Sequence, residues 1–261
     1  MEEDSLLRHY AGEPIHMPSL TYLKRREACP YWPVDCPNLT HLVLIPGRDF
    51  GELEDKCIRL PYLVSFSLYS YDSLNAFRVL DIPSLDSFGL RIKKGGRKSA
   101  NAGLFRDLWP LSSPEDGMNP SNPKLEVSEL SLRDINIDLQ LLASTVACQT
   151  SLKKLIIIGL DIKSNFFDCL MPKQVEQHLE GSGTPAQPEG VVMAWQVGAP
   201  ALKRLSIDFA GRLVEDQAGI EASARAFVAA RTRAGAPLEE LKMRCSKETA
   251  WKELVEPDVV A

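Results

Sequence analysis

Pro37-Asn-Leu39-Thr-His-Leu42-Val-Leu44 is the stretch from which the fold is read. Residues two apart in an extended chain point to the same face, so Leu42 and Leu44 mark a short strand with one buried face. Leu39 lies in the turn entering that strand and packs beneath it. Pro37 is tolerated because the strand has not yet begun. The phrase returns as Pro61-Tyr-Leu63-Val-Ser-Phe66-Ser-Leu68, as Pro83-Ser-Leu85-Asp-Ser-Phe88-Gly-Leu90 and as Pro200-Ala-Leu202-Lys-Arg-Leu205-Ser-Ile207. Ser151-Leu152-Lys-Lys-Leu155-Ile-Ile157 and Pro237-Leu238-Glu-Glu-Leu241-Lys-Met243 are relatives without the same proline spacing. Val127-Ser-Glu-Leu130-Ser-Leu132 keeps the frame, although Pro123 and Leu125 stand two residues early. Pro18-Ser-Leu20-Thr-Tyr-Leu23 opens the same way and fails at Arg25. The bland alternative is a set of unrelated amphipathic segments. Leu-x-x-Leu alone suits a helix equally well; the Leu-x-Leu half does not, and it keeps recurring behind a turn residue.

The short intervals between phrases are 19, 24, 22 and 25 residues. They match the leucine-rich-repeat period of about 20–29, while the longer intervals leave room for extra helix or loop. Asp138 to Cys148 and Gln217 to Arg233 carry apolar residues at helical spacing, the second closed by Gly235 and Pro237. Phe166 to Leu179 and Val191 to Val197 are weaker helix candidates. The expected fold is α/β: an irregular leucine-rich-repeat solenoid with short parallel strands on the concave side and helices and loops on the convex side. The expected organisation is an N-terminal tail over 1–17, a repeat domain over 18–256 and a C-terminal tail over 257–261. Residues 93–123 and 180–190, rich in turn formers, read as insertions between repeats.

The rest of the composition narrows the function. The chain has 261 residues, 44% of them apolar and 25% charged, which excludes wholesale disorder. Its net charge of −5 argues against a dedicated nucleic-acid binder. An acidic start without an apolar run is no secretory signal, and no apolar run reaches the roughly 20 residues needed to cross a bilayer, so an intracellular protein is expected, cytoplasmic or nuclear. The six cysteines then read as reduced thiols, mostly buried. Cys29, Cys36, His41 and Cys57 match no standard zinc spacing. Lys93-Lys-Gly-Gly-Arg-Lys-Ser99 lacks the Gly-Lys of a phosphate loop and reads as a solvated basic loop. Trp32, Trp109, Trp195 and Trp251 read as core or cap residues rather than a stacking platform. With no hydrolase elbow and no metalloprotease motif, no enzyme, cofactor or metal is expected.

The stretch Ala-Ala-Arg-Thr-Arg-Ala-Gly-Ala-Pro-Leu-Glu-Glu-Leu-Lys-Met ending at Met243, followed by Trp251-Lys-Glu-Leu-Val255, resembles the C-terminal end of fungal F-box leucine-rich-repeat proteins. The Pro-x-Leu phrases are similar to the irregular repeats of the same family, so the resemblance covers roughly residues 18–256 through short, degenerate motifs. It implies a non-enzymatic interaction scaffold. In that family an N-terminal F-box docks the adaptor of a cullin–RING ubiquitin ligase and the repeats recruit the target. An F-box fills about 40–50 helical residues, opening Leu-Pro and ending near Cys-x-x-Trp, and Met1 to Met17 does not hold one. The expectation is therefore the substrate-recognition half, with a ubiquitin-ligase adaptor as a further partner. A truncated member without activity is the remaining alternative within the family.

In such a solenoid the residues alternating with the buried leucines line the concave face. They are Tyr22, Lys24 and Arg26; His41, Val43 and Ile45; Ser65, Ser67 and Tyr69; Ser87, Gly89, Arg91 and Lys93; Glu129, Ser131 and Arg133; Lys154, Ile156 and Ile158; Arg204, Ser206 and Asp208; and Glu240, Lys242 and Arg244. Nine are basic and three acidic, a local balance of +6. The expected site is a basic groove for an acidic or phosphorylated protein segment, with His41, Ser65, Tyr69, Arg91, Lys93, Arg133, Lys154, Arg204, Lys242 and Arg244 as candidate contacts. An RNA or another anionic ligand is the rival occupant, disfavoured by the overall acidity.

Overall fold

A computed structural model describes residues 15–26, 34–45, 58–70, 80–92, 126–135, 139–159, 165–178, 191–209, 216–244 and 250–255. The proline of the repeated phrase occupies the second position of a tight turn. Behind it, the amide of the phrase's first leucine donates to the carbonyl of the residue before the proline. Leu20 donates to Met17, Leu39 to Cys36 and Leu63 to Leu60 at 3.2 Å, Leu85 to Ile82 at 3.3 Å and Leu202 to Ala199 at 3.0 Å. Proline presets φ at that position and has no N–H to leave unpaired. The turn then drives its leucine inward, and Leu39, Leu63 and Leu202 are at most 1% exposed.

In chain order the first elements are β1 (Ile15–His16), β2 (Tyr22–Arg26), β3 (Val34–Asp35), β4 (His41–Ile45), β5 (Ile58–Arg59), β6 (Ser65–Ser70), β7 (Leu80–Asp81), β8 (Ser87–Ile92) and β9 (Glu129–Arg133). Then follow α1 (Leu139–Ala147), β10 (Lys154–Ile158), α2 (Asn165–Leu170), β11 (Lys173–His178), β12 (Val191–Gln196), β13 (Arg204–Asp208), α3 (Gln217–Arg233), β14 (Glu240–Arg244) and β15 (Lys252–Glu253). The eight phrase strands form one sheet in the order β2-β4-β6-β8-β9-β10-β13-β14, which is also their order in the chain, and every neighbour pair is parallel. β15 closes the sheet antiparallel to β14. The two-residue strands pair beside this sheet, β1 with β3 and β5 with β7.

Register is held at the strand entrances. The Thr21 carbonyl accepts the amides of both Thr40 and His41, and the same double acceptance repeats at Thr40, Val64, Asp86, Ser128, Lys153 and Lys203, all at 2.8–3.1 Å. Two continuous apolar rows result. Leu23, Leu42, Phe66, Phe88, Leu130, Leu155, Leu205 and Leu241 form one; Leu44, Leu68, Leu90, Leu132, Ile157, Ile207 and Met243 form the other. The backbone of Arg25 heads the second row at the edge strand. Behind the rows, α1 packs on α2 and α2 on α3. Leu142, Val146, Phe166, Phe167, Ile220 and Phe227 carry the helices into the same core.

Arg231 ties the last helix to the sheet. It is fully buried, and it donates to the carbonyls of Gly198 at 2.9 Å, Ala236 at 3.0 Å, and Ala199 and Leu202 at 3.2 Å. Gly198 approaches the end of α1 so closely that a Cβ there would stand 2.8 Å from the Cβ of Ala147. Burial pushes the Arg231 guanidinium down to about 10, which leaves it charged at neutral pH.

Three expectations change. The helix expected over Phe166 to Leu179 ends at Leu170, because Pro172 cannot continue it, and residues 173–178 become β11. The helix expected over Val191 to Val197 is β12, antiparallel to β11. The second candidate was short, and β-branched Val191 and Val192 suit a strand. Of the residues expected in the N-terminal tail over 1–17, Ile15 and His16 instead form β1 and Met17 opens the first turn, while 1–14 lie outside the described residues. The segments 93–123 and 180–190, and the tail 257–261, lie outside the described residues.

Candidate functional site

The sheet face opposite the helices carries the residues that alternate with the two core rows. Register places them in three rows of their own. The first runs Tyr22, His41, Ser65, Ser87, Glu129, Lys154, Arg204 and Glu240; the second runs Lys24, Val43, Ser67, Gly89, Ser131, Ile156, Ser206 and Lys242. The third runs Tyr69, Arg91, Arg133, Ile158, Asp208 and Arg244 across six neighbouring strands. Lys93 lies outside the described residues, as does the side chain of Arg26.

The middle of the face is shallow. Ser65, Ser67, Ser87, Gly89 and Ser131 form a floor of small side chains over β6, β8 and β9. A Cβ at Gly89 would meet Ser67 Oγ at 3.1 Å, so glycine lets the two strands carry their side chains without crowding. Tyr69 and Arg91 wall one end of the floor, with the guanidinium carbon 5.9 Å from the ring centroid. On β10 the floor gives way to Ile156 and Ile158, both half-buried on this open side.

The expected basic groove is largely neutralised. Arg91 Nε donates to Asp134 Oδ2 at 3.1 Å, Lys154 pairs with Glu129 at 3.2 Å, Lys242 with Glu240 at 2.9 Å and Arg204 with Glu239 at 3.9 Å. Arg244 is hydrogen-bonded to Asp208, and its guanidinium sits 5.0 Å from the ring centroid of Trp251. The bond to Glu240 holds the Lys242 ammonium above its ordinary range, and the bond to Asp208 does the same for Arg244. Asp208, expected to point into the groove, is instead 4% exposed. Among the described residues, Lys24 and Arg133 are the face cations without an ion pair. Alternation along strands found the cations but missed two of the carboxylates, because Asp134 follows its strand and Glu239 precedes its own.

His41 is exposed, with its Nδ1 2.9 Å from Thr40 Oγ1. Cys36 lies in the core at 3% exposure, where burial first and Asp35 second push its thiol up. Cys29 and Cys57 lie outside the described residues. Among the described residues no three His, Cys, Asp or Glu side chains are grouped to hold a metal ion. No described helix is long and apolar enough to cross a membrane. Trp195 and Trp251 are 39% and 42% exposed, so neither is a core residue; Trp251 covers Arg244, while Trp32 and Trp109 lie outside the described residues. Comparison with protein-family models, with curated proteins and with solved structures finds no match for the chain.

Proposed function

We propose that this protein is a leucine-rich-repeat solenoid that docks a protein partner on its open, concave sheet face, without chemistry of its own. The observation that carries the reading is the unbroken register of eight parallel strands, which turns isolated side chains into one continuous surface. A face tiled by serines, a glycine and isoleucines suits the backbone of an extended or helical segment lying across many strands. The ion pairs over β8 to β14 orient and screen such a segment more than they hold it, since exposed pairs contribute at most about 1 kcal/mol each. The likeness of the phrases and of the C-terminal stretch to F-box leucine-rich-repeat proteins extends the proposal to a substrate-recognition module of a cullin–RING ubiquitin ligase.

The test blocks the floor. Gly89→Trp keeps the strand if the Ser67 hydroxyl, 3.1 Å from the added Cβ, turns aside, and the indole then rises from the sheet over the floor. Affinity purification from the native cell should recover a partner with the native chain and lose it with Gly89→Trp, while thermal unfolding stays within a few degrees. Recovery of ligase adaptor subunits supports the F-box-type role. Equal recovery by both proteins ends the docking reading.

A further inference from the structure

Arg91 and Arg133 stand directly opposite each other on β8 and β9. Like charges in that position repel. Asp134 answers one of them, and no acidic group among the described residues answers the other. Arg91, Arg133 and Asp134 together keep one unit of positive charge beside a floor too small to cover it. The next position along the same row is Ile158, with Ile156 below it on β10. A cation pair followed by a half-buried aliphatic step is therefore repeated in no other part of the described face.

We propose that this corner reads a carboxylate followed two residues later by an aliphatic side chain, in an extended protein segment crossing the strands. The inference rests on the docking reading above and specifies its partner. The single net charge favours a carboxylate over a phosphate dianion, which would leave the corner overcharged. The aliphatic step favours a polypeptide over a nucleic-acid backbone, which has nothing to place on Ile156 and Ile158. The spacing agrees. Neighbouring strands lie about 4.8 Å apart, so the point between Arg91 and Arg133 is about 7 Å from Ile158, close to the separation of residues i and i+2 in an extended chain. Arg133 offers its whole fork to the carboxylate, and Arg91 keeps its terminal nitrogens for it while Nε stays on Asp134.

The experiment uses the full chain on an array of nine-residue peptides. A central Glu-x-Leu is compared with Gln-x-Leu, Glu-x-Ser, Lys-x-Leu and phosphoserine-x-Leu, and fluorescent oligo-uridine is titrated separately. Glu-x-Leu should be retained about tenfold better than Gln-x-Leu or Glu-x-Ser. R133E should lose Glu-x-Leu and gain Lys-x-Leu, a gain that misfolding does not produce. I158S should keep the preference for glutamate and lose that for leucine. Equal retention of Glu-x-Leu and Gln-x-Leu overturns the inference, as does preference for phosphoserine or tighter binding of oligo-uridine. If no peptide is held while Gly89→Trp still removes the cellular partner, the face docks protein by other chemistry and this inference alone fails. If Gly89→Trp removes nothing, both fail.

Discussion

Arg231 reaches zero exposure with four carbonyl acceptors and the face of Phe227 beside it, and no carboxylate among its hydrogen-bond partners. Backbone oxygens from the turn before β13 and from the end of α3 together solvate the charge. Replacing it by methionine keeps the volume and strands those acceptors, so Arg231→Met should cost about 3 kcal/mol. Arg231→Lys should cost about 2 kcal/mol, because one ammonium cannot reach four divergent carbonyls. Urea midpoints at neutral pH measure both. The position was legible in principle: Ile220, Ala224, Phe227 and Arg231 share one helical stripe, all buried. A charge on that stripe looks like an error until the turn it binds is known, and that turn lies some thirty residues away in sequence. The face charges show a second limit. Each cation was found by alternation, but Asp134 and Glu239 sit one step beyond their strands, where no periodicity points.

At the scale of elements, β15 is the clasp that covers the open edge of β14. Two residues of ladder hold little by themselves, so side chains complete it: Leu254 is buried, Trp251 lies over Arg244, and Lys252 is hydrogen-bonded to Glu221 on α3. Hydrogen bonds from Lys252 first and Gln217 second hold the Glu221 carboxyl below its ordinary value of 4.5. A depressed carboxyl stabilises the fold above its unfolded pKa, and that contribution disappears as pH falls through the folded one. E221Q should therefore be less stable than the native protein at pH 7, by no more than about 1 kcal/mol for a pair whose lysine is half exposed, and the gap should close below pH 4.5. Melting curves from pH 7 to 3 measure it, and a gap that persists in acid would remove the ion pair from the clasp. The strands with a Pro-x-Leu entrance and helix α3 were legible, because turn chemistry and periodicity agree there. β11 and β12 were not: Lys173–His178 is polar with a single apolar residue and carries no strand period, and the short apolar run at Val191–Gln196 reads equally as strand or helix. The two-residue strands leave no periodic signal at all.

At the scale of the molecule, intervals as different as 19 and 50 residues lead into strands of identical register. Each strand begins afresh at its own shared carbonyl, so a long connection does not shift the strand that follows. This is why the sheet was readable from the sequence although the segments between phrases were not. It also explains why the cations of the open face find more carboxylates than alternation along the strands alone places there: Asp134 and Glu239 flank their strands and reach Arg91 and Arg204 on neighbouring ones.

Strand order that copies chain order has a mechanical consequence. Tension applied between Tyr22 and Arg244 runs across the hydrogen-bonded ladders, so they load one after another, like the teeth of a zip, instead of shearing together. Held in an optical trap, the protein should give way from its ends in a staircase of low-force rips, where a sheet loaded along its strands breaks once at high force. The stretch from Leu39 to Leu63 spans 24 residues and should release about 8 nm of slack.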